Sequence, residues 1–146
     1  MEILERYKHL NNNLKEKFGE RTLKLCIDGN FTCPNRDGSK SFDGCIFCSN
    51  KGSGDHLYTN KSTSSSIEND VLHIKSQVEN YFKTYRASRA NKFIVYFQNF
   101  TNTYDSIENL KRKYDAALID SRIVGIQIAT RPDCINEEIA KLLSSY

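Results

Sequence analysis

The stretch CIDGNFTCPNRDGSKSFDGCIFC, Cys26 to Cys48, constrains this chain more than any other. Four of the five cysteines fall in it, with six, eleven and two residues between them. A two-residue gap lets the thiolates of Cys45 and Cys48 meet at one metal centre or in a redox pair. Cys33 follows a strand-like run and precedes a polar loop, so three thiolates are placed to converge beyond one strand end. Thiolates are soft donors suited to zinc or to iron–sulfur clusters. On a cluster, three sulfurs would leave one iron open for a substrate or cofactor. That open position is the expected functional centre.

The rest of the composition sets bounds. At 146 residues the chain has one domain's length, enough for a real core. A net charge of +3 with interspersed signs does not demand nucleic acid. No apolar run approaches the roughly 20 residues of a membrane span. The charged start MEILERYKHLNNN reads as a helix rather than a secretory signal. An odd cysteine count with one tight pair suits a metal better than a disulfide framework. The expectation is a reduced, cytoplasmic protein.

Periodicity then orders the elements. Ile3, Tyr7, Leu10 and Leu14 form one apolar face of a first helix, which Gly19 ends in the left-handed conformation. Thr22–Ile27 reads as a strand, and residues 28–63 as a long loop without helical period. Such a loop in a small domain is functional or disordered, and a metal would supply the order that packing does not. Ser65–Glu68 has the form of a capping box for a helix carrying Ile67, Val71, Ile74, Val78, Phe82 and Tyr85. Phe93–Phe97 is a strand covered on both faces. Asp105 and Glu108 cap the next helix, with Ile107, Leu110, Tyr114 and Leu118 inward, and Ile123–Ile128 is a third buried strand. Asn136 caps a last helix with Ile139, Leu142 and Leu143. One helix followed by three β/α units implies parallel strands and right-handed crossovers. Three units make half a barrel, so truncation is expected, with the third strand left as an open edge that invites self-association.

Four ordered segments carry a more specific likeness: CxxGxFTCPNRDG at Cys26–Gly38, GCxFC at Gly44–Cys48, YFQxFTNTY at Tyr96–Tyr104 and TRPDC at Thr130–Cys134. Together they resemble the YhcC/YtqA-like, Elp3-related group of radical S-adenosylmethionine (SAM) enzymes. The resemblance implies an α/β fold, a partial (β/α) barrel of the radical SAM type with about three β/α units after an N-terminal helix. It implies a truncated core over 1–146, with the N-terminal helix at 1–19, the cluster-binding loop region at 26–63 and the remaining units at 64–146. The metal ligands it implies are Cys33, Cys45 and Cys48, holding a [4Fe-4S] cluster, with the aromatic Phe47 before the last. The cofactors implied are that cluster and SAM, cleaved reductively to a 5′-deoxyadenosyl radical. The implied partners are tRNA, through its wobble uridine side chain, an electron donor such as flavodoxin or ferredoxin, and a C-terminal half or a second copy.

Chemistry gives the same residues reasons. Parallel α/β folds place ligands at the carboxyl ends of strands. After the second strand stand Gln98, Asn99, Thr101, Asn102 and Thr103; after the third, Thr130, Arg131 and Asp133. Gln98, Thr101, Asn102 and Thr103 are the expected cofactor contacts, although the threonines also suit a helix cap. A rival reading makes all four clustered cysteines, Cys26 included, a structural zinc site in a non-catalytic binding module. Cys26 otherwise reads as a small buried core residue, and Cys134 as part of the Arg131–Pro132 loop. Asn35, Arg36 and Asp37 read as turn formers or as active-site groups. His9, His56 and His73 have no partner at metal spacing, and Tyr81, Phe82 and Tyr85 read as core. The basic residues at 86, 89, 92, 111, 112 and 113 read as a solvated helix face, with phosphate contact as the alternative.

Overall fold

A computed structural model describes residues 6–54, 57 and 66–146. Its elements run α1 (Leu10–Phe18), β1 (Thr22–Ile27), α2 (Ile67–Phe82), β2 (Lys92–Phe97), α3 (Ile107–Ala117), β3 (Ile123–Ile128) and α4 (Glu137–Leu143). Short 3-10 turns occupy Ala87–Arg89 and Pro132–Cys134. The strands pair in parallel in the order β1-β2-β3. No helix among the described residues is long and apolar enough to cross a membrane.

Strand alternation builds the core. Leu25 pairs with Val95 and Val95 with Ile126, while Ile27 pairs with Phe97 and Phe97 with Ile128, giving two apolar rows on one face. Ile74 and Val78 of α2, Leu110, Tyr114 and Ala117 of α3, and Ile139 of α4 pack against these rows. Each fully buried apolar side chain of this size contributes about 1.5–3 kcal/mol. Period two puts Lys24, Cys26, Ile94, Tyr96 and Gln127 on the other face, where the Lys24 ammonium lies 4.5 Å from the Tyr96 ring centre. Cys26 is therefore half-buried on the face away from this core, rather than a core residue.

The expected partial barrel of the radical SAM type is not what the chain forms. Among the described residues its sheet is an open three-stranded one with β1 and β3 as edges. Barrel closure needs many strands, each tilted and staggered against the next. Three strands do not impose it. β3 is half-exposed along all six residues, not buried as its apolar sequence suggested.

Several boundaries shift by local physics. Gly19 is left-handed at φ 78°, as expected, and its N–H reaches the Lys15 carbonyl at 2.8 Å. Helix α1, however, starts only at Leu10, and Ile3 lies outside the described residues. The cap of α2 is Ser66, whose hydroxyl accepts from Asn69 N–H at 3.3 Å. Ser65 lies outside the described residues, and Glu68 instead meets Arg112 on α3. Ser106, not Asp105, caps α3, and Asn136 caps α4 as its position suggested. His56 also lies outside the described residues.

Candidate functional site

The loop leaving β1 is folded by its own backbone. Gln77 of α2 clamps Asp28, accepting from its N–H at 2.9 Å and donating to its carbonyl at 2.8 Å. Asp28 in turn accepts from Asn30 N–H at 2.8 Å, which holds Asn30 in the left-handed region at φ 53°. Phe31 then drops into the core against Phe97, and Cys33 follows it, 9% exposed. The Cys33 carbonyl accepts from Arg36 and Asp37 N–H, and the Asn35 carbonyl accepts from Gly44 N–H at 2.8 Å. The chain thus doubles back and brings Cys45 toward Cys33.

Two side chains hold the returning limb. The Asn35 amide donates to the Cys45 sulfur at 3.2 Å. The Arg36 guanidinium donates to the Ser49 carbonyl at 2.6 Å and stands 5.5 Å from the Phe100 ring centre. Gly44 is left-handed at φ 78°, and a Cβ there would stand 3.0–3.1 Å from the Arg36 guanidinium. Cys48 N–H closes a turn on the Cys45 carbonyl at 2.9 Å. Between the paired cysteines, Ile46 and Phe47 project fully into solvent.

All five cysteines are free thiols. Burial pushes the Cys48 thiol up, the neighbouring Cys45 adds to this, Arg36 opposes it, and Cys33 adds a smaller push. The thiols at 33, 45 and 48 therefore share one electrostatic neighbourhood. No group of three His, Cys, Asp or Glu side chains among the described residues is close enough to hold a metal ion. The loop gathers the three sulfurs without setting them at ligand distance. By donor type three thiols suit a soft metal or cluster, and the Asn35 amide would then donate to one of the sulfurs. Cys26 keeps other company: burial raises its thiol, opposed by Lys24 and Arg86.

The polar run after β2 ties the strand ends together. Thr101 N–H donates to the Thr32 carbonyl at 3.1 Å, joining the β1 loop. The Asn102 amide donates to the carbonyls of Ala129 at 2.8 Å and Phe97 at 3.2 Å, and the Asn102 carbonyl accepts from the Tyr114 hydroxyl at 2.6 Å. Thr103 donates to the Cys134 carbonyl at 2.6 Å and meets the Thr130 hydroxyl. Thr101, Asn102 and Thr103 are all buried. Of the four expected cofactor contacts only Gln98 is half-exposed, and its amide donates to the Ser53 carbonyl of the loop. Asn99, buried beside them, keeps Oδ1 without a hydrogen-bond partner among the described residues, and so does Asn102. Phe100 adopts φ 60°, a strained conformation for an aromatic residue.

The third strand end contributes Arg131 and Asp133, paired at 2.8–2.9 Å, with Lys40 of the cysteine loop on the same carboxylate. The Arg131 hydrogen bonds, then Lys40, hold the Asp133 carboxyl far below the usual carboxylate range. Lys113 is a further residue the sequence misplaced. It is 3% exposed rather than part of a solvated face, with Asp70 at 3.0 Å and Asp105 at 3.2 Å. Its spacing of three from Leu110 on the inward stripe was the available signal. Lys113, Asp28, Asn30, Phe31 and Arg36 line a recess of about 640 Å³ beside the cysteine loop.

Comparison with known proteins places the chain among relatives. It is 40% identical over 140 residues to the uncharacterized protein YtqA of Bacillus subtilis, matching 96% of this chain and 41% of YtqA. It is 30% identical over 146 residues to YhcC of Escherichia coli, matching all of this chain and 43% of YhcC. It is also 30% identical over 133 residues to the uncharacterized protein MJ0486 of Methanocaldococcus jannaschii, 91% of this chain and 38% of that protein. No family model and no solved structure matches. The chain is thus a homologue of YtqA, YhcC and MJ0486 that spans about two fifths of the length of each.

Proposed function

We propose that this chain is the cluster-binding part of a radical SAM enzyme of the reduced cytoplasm, with Cys33, Cys45 and Cys48 as ligands of a [4Fe-4S] cluster. The observation that supports it is the gathering of three free thiols on one backbone-folded loop at the carboxyl end of β1. When bound, such a cluster supplies an electron, and an open iron for the amino and carboxylate groups of SAM. In this proposal the Asn35 amide draws charge from the Cys45 sulfur, and the nearby Arg36 favours the thiolate of Cys48. Gln98 is the proposed SAM contact; Thr101, Asn102 and Thr103 hold it in place by joining the strand ends. An electron donor of the flavodoxin or ferredoxin kind and a tRNA wobble uridine complete the proposal, and both rest on family resemblance. Turnover is assigned to the longer chains of the relatives.

Anaerobic reconstitution tests the ligand set. The parent and Cys26→Ala are expected to bind iron and sulfide, while Cys33→Ala, Cys45→Ala and Cys48→Ala bind none. SAM is expected to shift the EPR signal of the reduced parent. Stoichiometric zinc in the parent, lost in Cys26→Ala, would overturn the proposal in favour of a structural zinc site.

A further inference from the structure

Three successive residues before Cys33 are fastened one by one. The Asn30 amide donates to Asp70 at 2.7 Å. The Phe31 ring lies under the Lys113 ammonium, 4.1 Å from its centre, and packs edge-on against Phe97. The Thr32 carbonyl accepts from Thr101 N–H at 3.1 Å. The first two fastenings meet at one ion group, in which the buried Lys113 of α3 is shared by the partly exposed Asp70 of α2 and by Asp105, at the surface before the cap of α3. Asp105 is itself fixed, accepting from Ser106 N–H and from the Asn109 amide, both at 2.8 Å.

Stability alone gives a poor account of this group. Buried ion groups are often replaced by apolar side chains of similar volume without loss, because desolvation offsets most of the attraction. An ammonium between two carboxylates and a ring face supplies direction instead. It transmits the packing of α2 on α3 to the path of the chain that carries Cys33. We propose that Lys113 is a positioning residue for Cys33, holding the first thiol of the loop where the other two can reach it. The metal arm of the test rests on the cluster proposal above; the thiol arm does not.

The variant to compare with the parent combines Lys113→Met, Asp70→Asn and Asp105→Asn, which leaves no lone charge buried. Alkylation by iodoacetamide is followed cysteine by cysteine in the metal-free chain by peptide mass mapping. Cys33 is expected to react about tenfold faster, the effect of easier local opening once the ion and ring contacts are gone. Cys26 is expected to keep its rate, and the thermal midpoint to stay near the parent's. Phe31→Leu, which takes the ring from both Lys113 and Phe97 but leaves the ion group in place, shifts Cys33 in the same direction by less. Arg112→Met, an exposed charge on the same helix, shifts nothing. After reconstitution, the triple variant is expected to lose iron to a chelator about tenfold faster than the parent. Unchanged Cys33 reactivity in both the triple variant and Phe31→Leu overturns the proposal, as does equal acceleration at Cys26. A parent that takes up no iron, yet shows the Cys33-selective change, refutes the cluster proposal and supports the positioning role.

Discussion

At the scale of single residues, the loop uses glycine where the backbone and a neighbour both disfavour a side chain. Gly44 combines a left-handed backbone with an Arg36 guanidinium 3.0–3.1 Å from where its Cβ would stand. Gly44→Ala is expected to destabilise by about 1–2 kcal/mol through the backbone alone. It is also expected to loosen Arg36 from Ser49; urea unfolding and the reactivity of Cys48 read the two effects separately. Asp133 offers a titration. Its folded carboxyl value lies below the ordinary one of about 3.9. Its stabilisation is thus present above that ordinary value and fades as pH falls toward the folded one. Arg131→Gln is expected to move the Asp133 midpoint, followed by NMR, up toward the ordinary range. That Cys33, Cys45 and Cys48 share one turn-rich loop after β1 was legible, because glycines and polar turn formers are written locally in sequence. Lys113 was not, because a lysine on a basic run reads as solvated until two distant aspartates, Asp70 and Asp105, close on it.

At the scale of elements, nearly every helix and strand was legible, because apolar spacing and caps are local. Asn136 and Gly19 needed no tertiary information. The cap of α2 was placed one residue early, since Ser65 and Ser66 offer the same hydroxyl and only the backbone decides between them. Ser66→Ala is expected to cost about 1 kcal/mol, read from a shift of the urea midpoint without change of slope. The role of the polar run after β2 was the least legible part. Asparagine and threonine at a strand end look alike whether they face a ligand or brace the neighbouring loops. The bonds of Asn102 to Phe97 and Ala129 and of Thr103 to Cys134 show bracing, which long-range contact alone creates.

For the whole molecule, the succession of β/α units followed from the sequence, but the barrel did not. Order along the chain fixes neighbours; closure depends on how many strands share the tilt. The open edge of β3 has a direct consequence in solution. Among the described residues the outer edge of β3 has no partner strand, and such an edge on a half-exposed apolar strand favours pairing with another copy. Light scattering is expected to show this chain as a dimer or larger species, and a monodisperse monomer would count against that expectation.

The junction at Asn102 divides the sheet into two unlike ends. At the carboxyl end, one amide side chain and the backbone around it connect β2 with β3, and its neighbour Thr101 connects with the segment that follows β1. At the amino end the ties are different: the Lys92 ammonium donates to the Phe18 carbonyl at 2.6 Å and Phe93 N–H to the Arg122 carbonyl at 2.9 Å. The rim that bears the cysteine loop is thus fastened across all three strands by two adjacent residues, Thr101 and Asn102.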